Sequence, residues 1–104
     1  MIISVTTFTL PKAITLDEAK AIFKTTAPKY RDVPGLAKKH YVLSEDGRTA
    51  GGIYLWNSRK DAEALYTPAW RDFVKQKYGT EPSITYFDSP LVVDNIAGKI
   101  VIDE

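Results

Sequence analysis

The segment from Ser44 to Arg48 (SEDGR) constrains the fold of this chain more than any other stretch. Asp-Gly between two β-rich runs is the strongest short-range signal of a β-hairpin. The runs on either side are residues 36–44 (LAKKHYVLS) and residues 49–56 (TAGGIYLW). Both contain aromatic and β-branched residues, which strands favour. The segment therefore predicts an antiparallel pair of strands in the middle of the chain.

A first helix is predicted before this hairpin. Thr15 and Glu18 have the spacing of a capping box, with a hydroxyl at the N-cap and a carboxylate three residues later. Apolar residues follow at helical spacing, namely Leu16, Ala19, Phe23, Ala27 and Tyr30. Pro28 lies within this stripe, and proline removes a backbone donor. We therefore expect a kink or a short break at Pro28, with the same face still buried.

A second helical segment, residues 59–78, follows the hairpin. Ser58 and Asp61 form another capping pair at its start, and Gly79 is positioned to end it. Thr67-Pro68 interrupts the segment, but threonine at an N-cap before proline also starts helices. The sequence predicts either one kinked helix or two short collinear helices.

The order of elements predicts the fold. Residues 2–10 and residues 82–88 are predicted strands, which gives the order β-α-β-β-α-β. This is the ferredoxin-like α+β arrangement, with a four-stranded antiparallel sheet and both helices on one face. The 104 residues fit a single domain, residues 1–104. The tail, residues 91–104, is expected to form a hairpin or an arm that pairs with a neighbouring chain.

Both faces of the predicted sheet are apolar. Alternation along the first strand places Ile2 and Phe8 on one side and Ile3 and Val5 on the other. Along the third strand, Ile53 and Leu55 lie on the side opposite Tyr54 and Trp56. Because the helices cover only one face, we expect the other to meet a second copy in a two-fold homodimer.

Composition excludes several classes of function. Fourteen basic and thirteen acidic residues give a net charge of +1, which favours neither nucleic acid nor an anionic membrane as partner. The chain has no cysteine and one histidine, so we expect no metal site. The apolar runs are too short for a membrane span, and the N-terminus lacks the features of a signal peptide. We expect a soluble cytoplasmic protein.

Five short segments resemble a known family. They are PGL at 34–36, SEDG at 44–47, AGGIYLW at 50–56, YTPAW at 66–70 and YFDSP at 86–90. They are similar to small bacterial monooxygenases of the YdhR type, in the dimeric α+β barrel superfamily with the antibiotic-biosynthesis monooxygenases. The resemblance implies a homodimer with a cavity between sheet and helices in each subunit. It also implies oxygenation of a small aromatic or polyketide-like molecule by dioxygen, with no cofactor. Other members isomerise lactones or degrade haem, so the fold alone does not fix the reaction.

Three residues are candidates for catalysis: His40, Tyr54 and Tyr86. His40 would titrate near neutral pH and act as the base that deprotonates a phenolic substrate. Alternatively, it is a partly buried strand residue or faces the dimer. Tyr54 and Tyr86 would place hydroxyl groups in the cavity, and Asp88 would orient or activate a neighbouring Tyr or His. The alternatives are packing for Tyr54 and turn chemistry for Asp88.

Four residues are candidates for substrate binding: Trp56, Tyr66, Trp70 and Arg71. Trp56 would stack on a flat substrate, and Trp70 would cap the cavity near the Thr67-Pro68 interruption. Arg71 would hold an anionic oxygen. Alternatively, the tryptophans are core residues and Arg71 is solvated.

The sequence is therefore consistent with two functions. The first is an enzyme, which requires a cavity where His40 or a tyrosine hydroxyl lies beside Trp56 or Trp70. The second is a non-catalytic ligand-binding or stress-related homodimer, whose cavity would hold no titratable group. A space filled by side chains would remove most support for the enzyme. Whether the space above Gly52 is empty or filled by side chains distinguishes the two functions.

Overall fold

The computed structural model describes residues 1–103, so Glu104 of the tail lies outside the described residues. Its elements are β1 (Ile2–Thr9), α1 (Leu16–Tyr30), β2 (Leu36–Leu43), β3 (Thr49–Trp56), α2 (Arg59–Leu65), α3 (Pro68–Tyr78), β4 (Ser83–Asp88), β5 (Leu91–Asp94) and β6 (Lys99–Ile102). No helix among the described residues is both long and apolar enough to cross a membrane.

The predicted ferredoxin-like fold is confirmed. Four antiparallel strands form one sheet in the order β2-β3-β1-β4, and the three helices cover one of its faces. The core lies between that face and the helices. Its most buried residues are Phe8, Leu10, Tyr30, Ala50, Tyr54, Trp56, Ala62, Tyr66, Trp70 and Val74.

The hairpin between β2 and β3 turns at Gly47, as predicted. The Gly47 amide donates to the Ser44 carbonyl at 2.9 Å, and the Asp46 carboxylate accepts from the Arg48 amide at 3.0 Å. Gly47 has a φ of +74°, and a Cβ there would collide with the Ile14 carbonyl. Glycine is therefore required for both conformation and space.

Helix α1 begins where predicted and runs through Pro28 to Tyr30, the last residue of the predicted apolar stripe. Thr15 Oγ1 accepts from the Glu18 amide at 3.1 Å, and the Glu18 carboxylate accepts from the Thr15 amide at 3.0 Å. The expected break at Pro28 is wrong, because the helix continues to Tyr30. Pro28 lies in the last turn, where the missing hydrogen bond disturbs little of the helix. Leu16, predicted to be buried, is 73% exposed.

The second helical segment consists of two helices, one of the two predicted alternatives. Thr67 Oγ1 caps α3 by accepting from the Trp70 amide at 3.2 Å, and Pro68 is its first residue. Gly79 ends α3 in the left-handed conformation, with a φ of +84°. The interruption places Tyr66 between α2 and α3, where its ring enters the core.

A bulge at Ala37 determines which side chains of β2 face the helices. Leu36 pairs with Trp56 and Lys38 pairs with Leu55, so Ala37 is an extra residue in β2. Side chains alternate along a strand, and one inserted residue shifts that alternation. Lys39 therefore faces the helices, opposite Tyr54. Lys38 alternates with it and points toward the open face of the sheet, the face that the helices do not cover.

The tail forms a hairpin of β5 and β6, as one of the two alternatives predicted. Its register places four aliphatic side chains on one face, each more than half exposed, which are Leu91, Val93, Ile100 and Ile102. On the open face of the main sheet, Phe87 is 54% exposed and Ile53 is 38% exposed. The predicted apolar open face is present, and the homodimer stays a prediction.

Candidate functional site

An aromatic cluster fills the space between the sheet and the helices. Trp56 Nε1 donates to Ser4 Oγ at 2.8 Å, and the same Ser4 oxygen lies 2.6 Å from the Tyr66 hydroxyl. Trp70 Nε1 donates to the Tyr30 hydroxyl at 2.9 Å. Both indole N–H groups are thus satisfied within the cluster, as buried tryptophans require.

Beside this cluster only a small cavity remains, of about 20 Å³. It is lined by Thr6, Phe8, Phe23, Thr26, Tyr30, Lys39, Tyr41, Gly51, Tyr54, Trp70, Phe73, Val74 and Tyr78. This volume holds about one water molecule. The substrate-sized cavity expected between sheet and helices is therefore not open in the described residues.

Side chains occupy the space above Gly52. A Cβ at Gly52 would lie 2.9 Å from Tyr54 Cε1 and 3.0 Å from Lys39 Cε. The glycine therefore leaves room for a tyrosine ring and for the stem of a lysine. These two side chains explain why the expected cavity is filled.

Lys39 places its amine among three tyrosine rings. Its Nζ lies 3.3 Å from the ring centre of Tyr30, 3.9 Å from that of Tyr41 and 4.7 Å from that of Tyr54. These three rings and the amine are called the tyrosine cage below. Among residues 1–103, no carboxylate forms an ion pair with this amine.

Two opposing effects act on the charge of Lys39. Burial, and secondarily the positive charge of Lys29, lower the pKa of Lys39 to about 7. Contact with the ring faces acts in the opposite sense, because it favours the ammonium. The amine is therefore a group that exchanges a proton near neutral pH.

A groove between α1 and β2 leads to the tyrosine cage. Its volume is about 700 Å³, and it is lined by Lys24, Ala27, Pro28, Tyr30, Arg31, Asp32, Leu36, Ala37, Lys38, Lys39 and Tyr41. Tyr30, Lys39 and Tyr41 line both this groove and the small cavity. The tyrosine cage therefore separates the small interior cavity from the open α1–β2 groove.

The tyrosines of the cluster remain protonated near neutral pH. Burial is the largest cause that raises the pKa of Tyr54 and of Tyr66, and neighbouring tyrosines add to it, whereas the hydrogen bonds with Ser4 and Trp56 act to lower the pKa of Tyr66. Burial also raises the pKa of Tyr30 and Tyr41. These hydroxyl groups can donate hydrogen bonds, but they are poor bases.

Comparison with known proteins identifies the family of this chain. Residues 4–88 match the family described as "Putative mono-oxygenase ydhR". The chain belongs to the ydhR family. No match is found among curated proteins.

Solved structures similar to this ydhR-family chain share its fold at low sequence identity. A monooxygenase from the gene ActVA-Orf6 of Streptomyces coelicolor, in complex with nanaomycin D, has 14% identity and a TM-score of 0.65, with 88% of this chain and 89% of that chain covered. SnoaB, a cofactor-independent oxygenase from Streptomyces nogalater, has 19% identity and a TM-score of 0.61, with coverages of 85% and 91%. A putative antibiotic biosynthesis monooxygenase from Deinococcus radiodurans has 14% identity and a TM-score of 0.65, with coverages of 90% and 97%.

Of the predicted catalytic residues in this ydhR-family protein, His40 lies apart from the cluster. It is exposed on the open face of the sheet, in a groove of about 370 Å³ beside Ile53 and the β5–β6 hairpin. Tyr54, the hydroxyl alternative predicted beside the tryptophans, lines the small cavity together with Trp70, whereas His40 does not line it within one chain. The bulge at Ala37 is the reason, because it exchanges the faces of Lys39 and His40.

Of the remaining predicted residues, some lie inside the aromatic cluster and others lie at its edge. Tyr54 and Trp70 line the small cavity, while Trp56 and Tyr66 are buried behind it. Tyr86 lies at the margin, with its ring centre 6.4 Å from that of Tyr66.

Two arginines lie near this marginal tyrosine. The Arg59 guanidinium is 4.0 Å from the ring centre of Tyr86, and Arg71 is exposed nearby. Burial raises the pKa of Tyr86, while both arginines act to lower it. Among the described residues, no three His, Asp or Glu side chains are grouped to hold a metal ion.

Sequence reasoning missed Lys39. Its position in β2 cannot be assigned to a face without knowledge of the bulge. One signal was available. Gly52 lies on the helix-facing side of β3, the strand that pairs with β2, and it has no side chain there. A bare position of this kind indicates that another group approaches the backbone closely.

Proposed function

We propose that this protein is a monooxygenase that oxygenates a small aromatic or polyketide-like substrate between the sheet and helix α1. Membership of the ydhR family supports the reaction class. The observation that carries the proposal is the tyrosine cage, where aromatic faces and one titratable amine meet at an accessible groove. We extend to this chain the cofactor independence stated for the S. nogalater relative.

The proposed reaction converts a CH₂ group beside a phenol into a ketone. Loss of a proton gives a carbanion, which transfers one electron to dioxygen. The two radicals combine to a peroxide anion, which takes back the abstracted proton to become a hydroperoxide. Loss of water from the hydroperoxide leaves the ketone. One oxygen atom of dioxygen enters the product and the other leaves as water. The chain would hold the aromatic rings, accept the proton and keep bulk water away from the carbanion.

In this proposal, the position of each predicted site residue relative to the small cavity determines its role. Tyr54 and Trp70, which line the small cavity, would contact a substrate that displaces the Lys39 stem. Trp56 and Tyr66 would hold these rings in place from behind. Tyr86 and Arg71 would contact only a substrate large enough to reach the margin of the cluster. His40 has no role within one chain.

We further propose that two copies associate through the open face of the sheet and the β5–β6 hairpin. The exposed aliphatic residues of that hairpin, together with Ile53 and Phe87, support this arrangement. Isolated apolar residues are common on surfaces, but a contiguous apolar patch indicates an interface. His40 would then lie at the contact between the two copies.

The second candidate function, a non-catalytic ligand-binding homodimer, is favoured by one observation. The interior cavity has only about 20 Å³, and both indole N–H groups are already satisfied. Such an interior resembles an ordinary core. In this alternative a ligand would occupy the α1–β2 groove without undergoing reaction.

Binding and oxygen uptake together separate the two candidates. A panel of hydroxyanthrones is first tested for binding by titration calorimetry. Each compound that binds is then given to the protein in an oxygen electrode, before and after dialysis against a chelator. The enzyme predicts uptake of one dioxygen per ketone formed, at a rate that dialysis leaves unchanged. Saturating binding without uptake above the buffer rate would contradict it and support the binding protein.

A further inference from the structure

We propose that the amine of Lys39 accepts the hydroxyl proton of an acidic phenol bound in the α1–β2 groove, and that the resulting ammonium holds the phenolate. The use of this phenolate in oxygenation rests on the proposed function. The recognition of an acidic phenol does not, because it follows from the cage and the groove alone.

The surroundings of Lys39 lack the partner that a lysine normally has. Three ring faces enclose the amine, and no carboxylate among residues 1–103 forms an ion pair with it. An ammonium removed from water without an anionic partner is costly. Lys39 also lines the groove, so an incoming group can reach it from that side. A phenolate would supply the missing partner.

The charges around the groove favour an anion. The charged groups that line it are Lys24 from α1, Arg31 and Asp32 just after α1, and Lys38 and Lys39 from the edge strand β2, while the charge of Lys29 in α1 also acts on Lys39. Asp32 is the single carboxylate in this set. Packed against the amine, β3 contributes the neutral Tyr54 and α3 contributes Trp70 and Phe73. A bound anion therefore meets mostly positive charge and aromatic surface.

The phenol class follows from the geometry of the cage, because ring faces beside one amine at an open groove suit a flat aromatic ring that carries an acidic oxygen. The pKa of Lys39, which burial lowers to about 7, supports this class, because a partly neutral amine can accept the proton of that oxygen. A phenol brings that proton, whereas a carboxylic acid is already ionised. One proton moves from the phenol oxygen to Nζ, and no electron is transferred. The product is an ammonium–phenolate pair.

A spectroscopic probe tests the proposal without any catalytic turnover. Binding of para-nitrophenol is followed by the absorbance of its phenolate, below the pH at which the free phenol ionises. Wild-type protein should increase the phenolate band and should bind para-nitroanisole, which has no acidic proton, at least ten-fold more weakly. Lys39→Met should lose both effects, while Lys60→Met, an exposed lysine of α2, should retain them. Absence of para-nitrophenol binding, or an unchanged phenolate band in Lys39→Met, would overturn the proposal.

A second measurement does not depend on how the variant folds. The Lys39 Cε resonance of the wild-type protein is titrated by NMR, with and without para-nitrophenol. The free protein should show a midpoint near 7, and the bound phenolate should move it upward. A midpoint at the ordinary lysine value in the free protein would overturn the proposal.

The failures of the two proposals can be told apart. Ionisation of the probe without oxygen uptake on any bound hydroxyanthrone would retain the Lys39 site and contradict the monooxygenase. Oxygen uptake that persists unchanged in Lys39→Met would retain the monooxygenase and contradict the role of Lys39.

Discussion

The amine of Lys39 lies 3.3 Å from the centre of the Tyr30 ring, at the wall between the aromatic interior and the α1–β2 groove. Helix α1 supplies the tyrosine and β2 supplies the lysine, so the contact joins the helical layer to the sheet. A buried lysine without an acidic partner does not serve stability alone. Its position therefore points to a ligand.

Replacement of Lys39 by methionine should stabilise the protein at low pH. Because burial lowers the pKa of Lys39 to about 7, the unfolded chain binds more protons than the folded chain between about pH 7 and about pH 10.4. Wild-type stability should rise with pH in that window, and the penalty should be fully present below it. Since solvent partly screens the amine, the gain for Lys39→Met at about pH 6 should be on the order of 2 kcal/mol.

Urea unfolding at several pH values measures this effect. The difference between Lys39→Met and wild type should shrink as the pH rises above about 7 and vanish near about pH 10. Lys60→Met serves as the control and should follow the wild-type curve. A difference that is constant across this pH range would contradict the assigned titration.

Alanine at Gly52 should displace the tyrosine cage. Its Cβ would lie 2.9 Å from Tyr54 Cε1 and 3.0 Å from Lys39 Cε, so one of these side chains must move. Overpacking of this kind costs about 1–3 kcal/mol. The free energy of unfolding should fall by that amount, and the Lys39 NMR midpoint should rise toward the ordinary value as the amine moves into solvent. Gly98→Ala, where no atom lies within 4 Å of the added Cβ, should leave the Lys39 midpoint unchanged. An unchanged Lys39 midpoint in Gly52→Ala would refute the expected displacement.

Ser4 and Tyr66 should stabilise the fold as a coupled pair. The Ser4 hydroxyl accepts from Trp56 Nε1 and lies 2.6 Å from the Tyr66 hydroxyl. Ser4→Ala leaves two buried polar groups without this partner, which should cost about 1–3 kcal/mol. Tyr66→Phe removes one contact and should cost less. In the double variant the two losses should not add, and simple additivity in urea unfolding would argue against the coupling.

A charge on the open apolar surface should separate the two proposed copies. Val93→Glu places a carboxylate on the exposed hairpin face, and Ile53→Glu does so on the sheet. Either variant should sediment as a monomer at concentrations where the wild type is a dimer, because an unpaired charge is costly in an apolar interface. Lys60→Glu, on α2, should leave the dimer intact. A wild-type monomer at micromolar concentration would contradict the proposed interface.

The local signals of the sequence predicted most of the fold. Thr15 with Glu18, Asp46 with Gly47, and Thr67 with Pro68 each specify an element boundary through hydrogen bonds among nearby residues. Such signals depend on a few adjacent positions, so they can be recognised without tertiary information. The order of elements then determined the sheet topology.

The candidate site was predicted only in part, because it depends on distant contacts. Tyr54 and Trp70 do border the remaining cavity. The bulge at Ala37 arises from the pairing of β2 with β3, and it reverses the faces of Lys39 and His40. The volume of the cavity depends on how the Lys39 stem and the Tyr54 ring fill the space above Gly52. The bulge has no local sequence signal, and Gly52 indicates only that some group approaches the backbone there, without identifying that group.

Isotopic labelling of dioxygen tests the proposed monooxygenase most directly. A hydroxyanthrone that binds the protein is incubated with labelled dioxygen in unlabelled water, and the ketone product is analysed by mass spectrometry. Each molecule of product should contain one labelled oxygen atom, and Lys39→Met should form that product more slowly than Lys60→Met. A product without label, or formation no faster than in buffer, would contradict it.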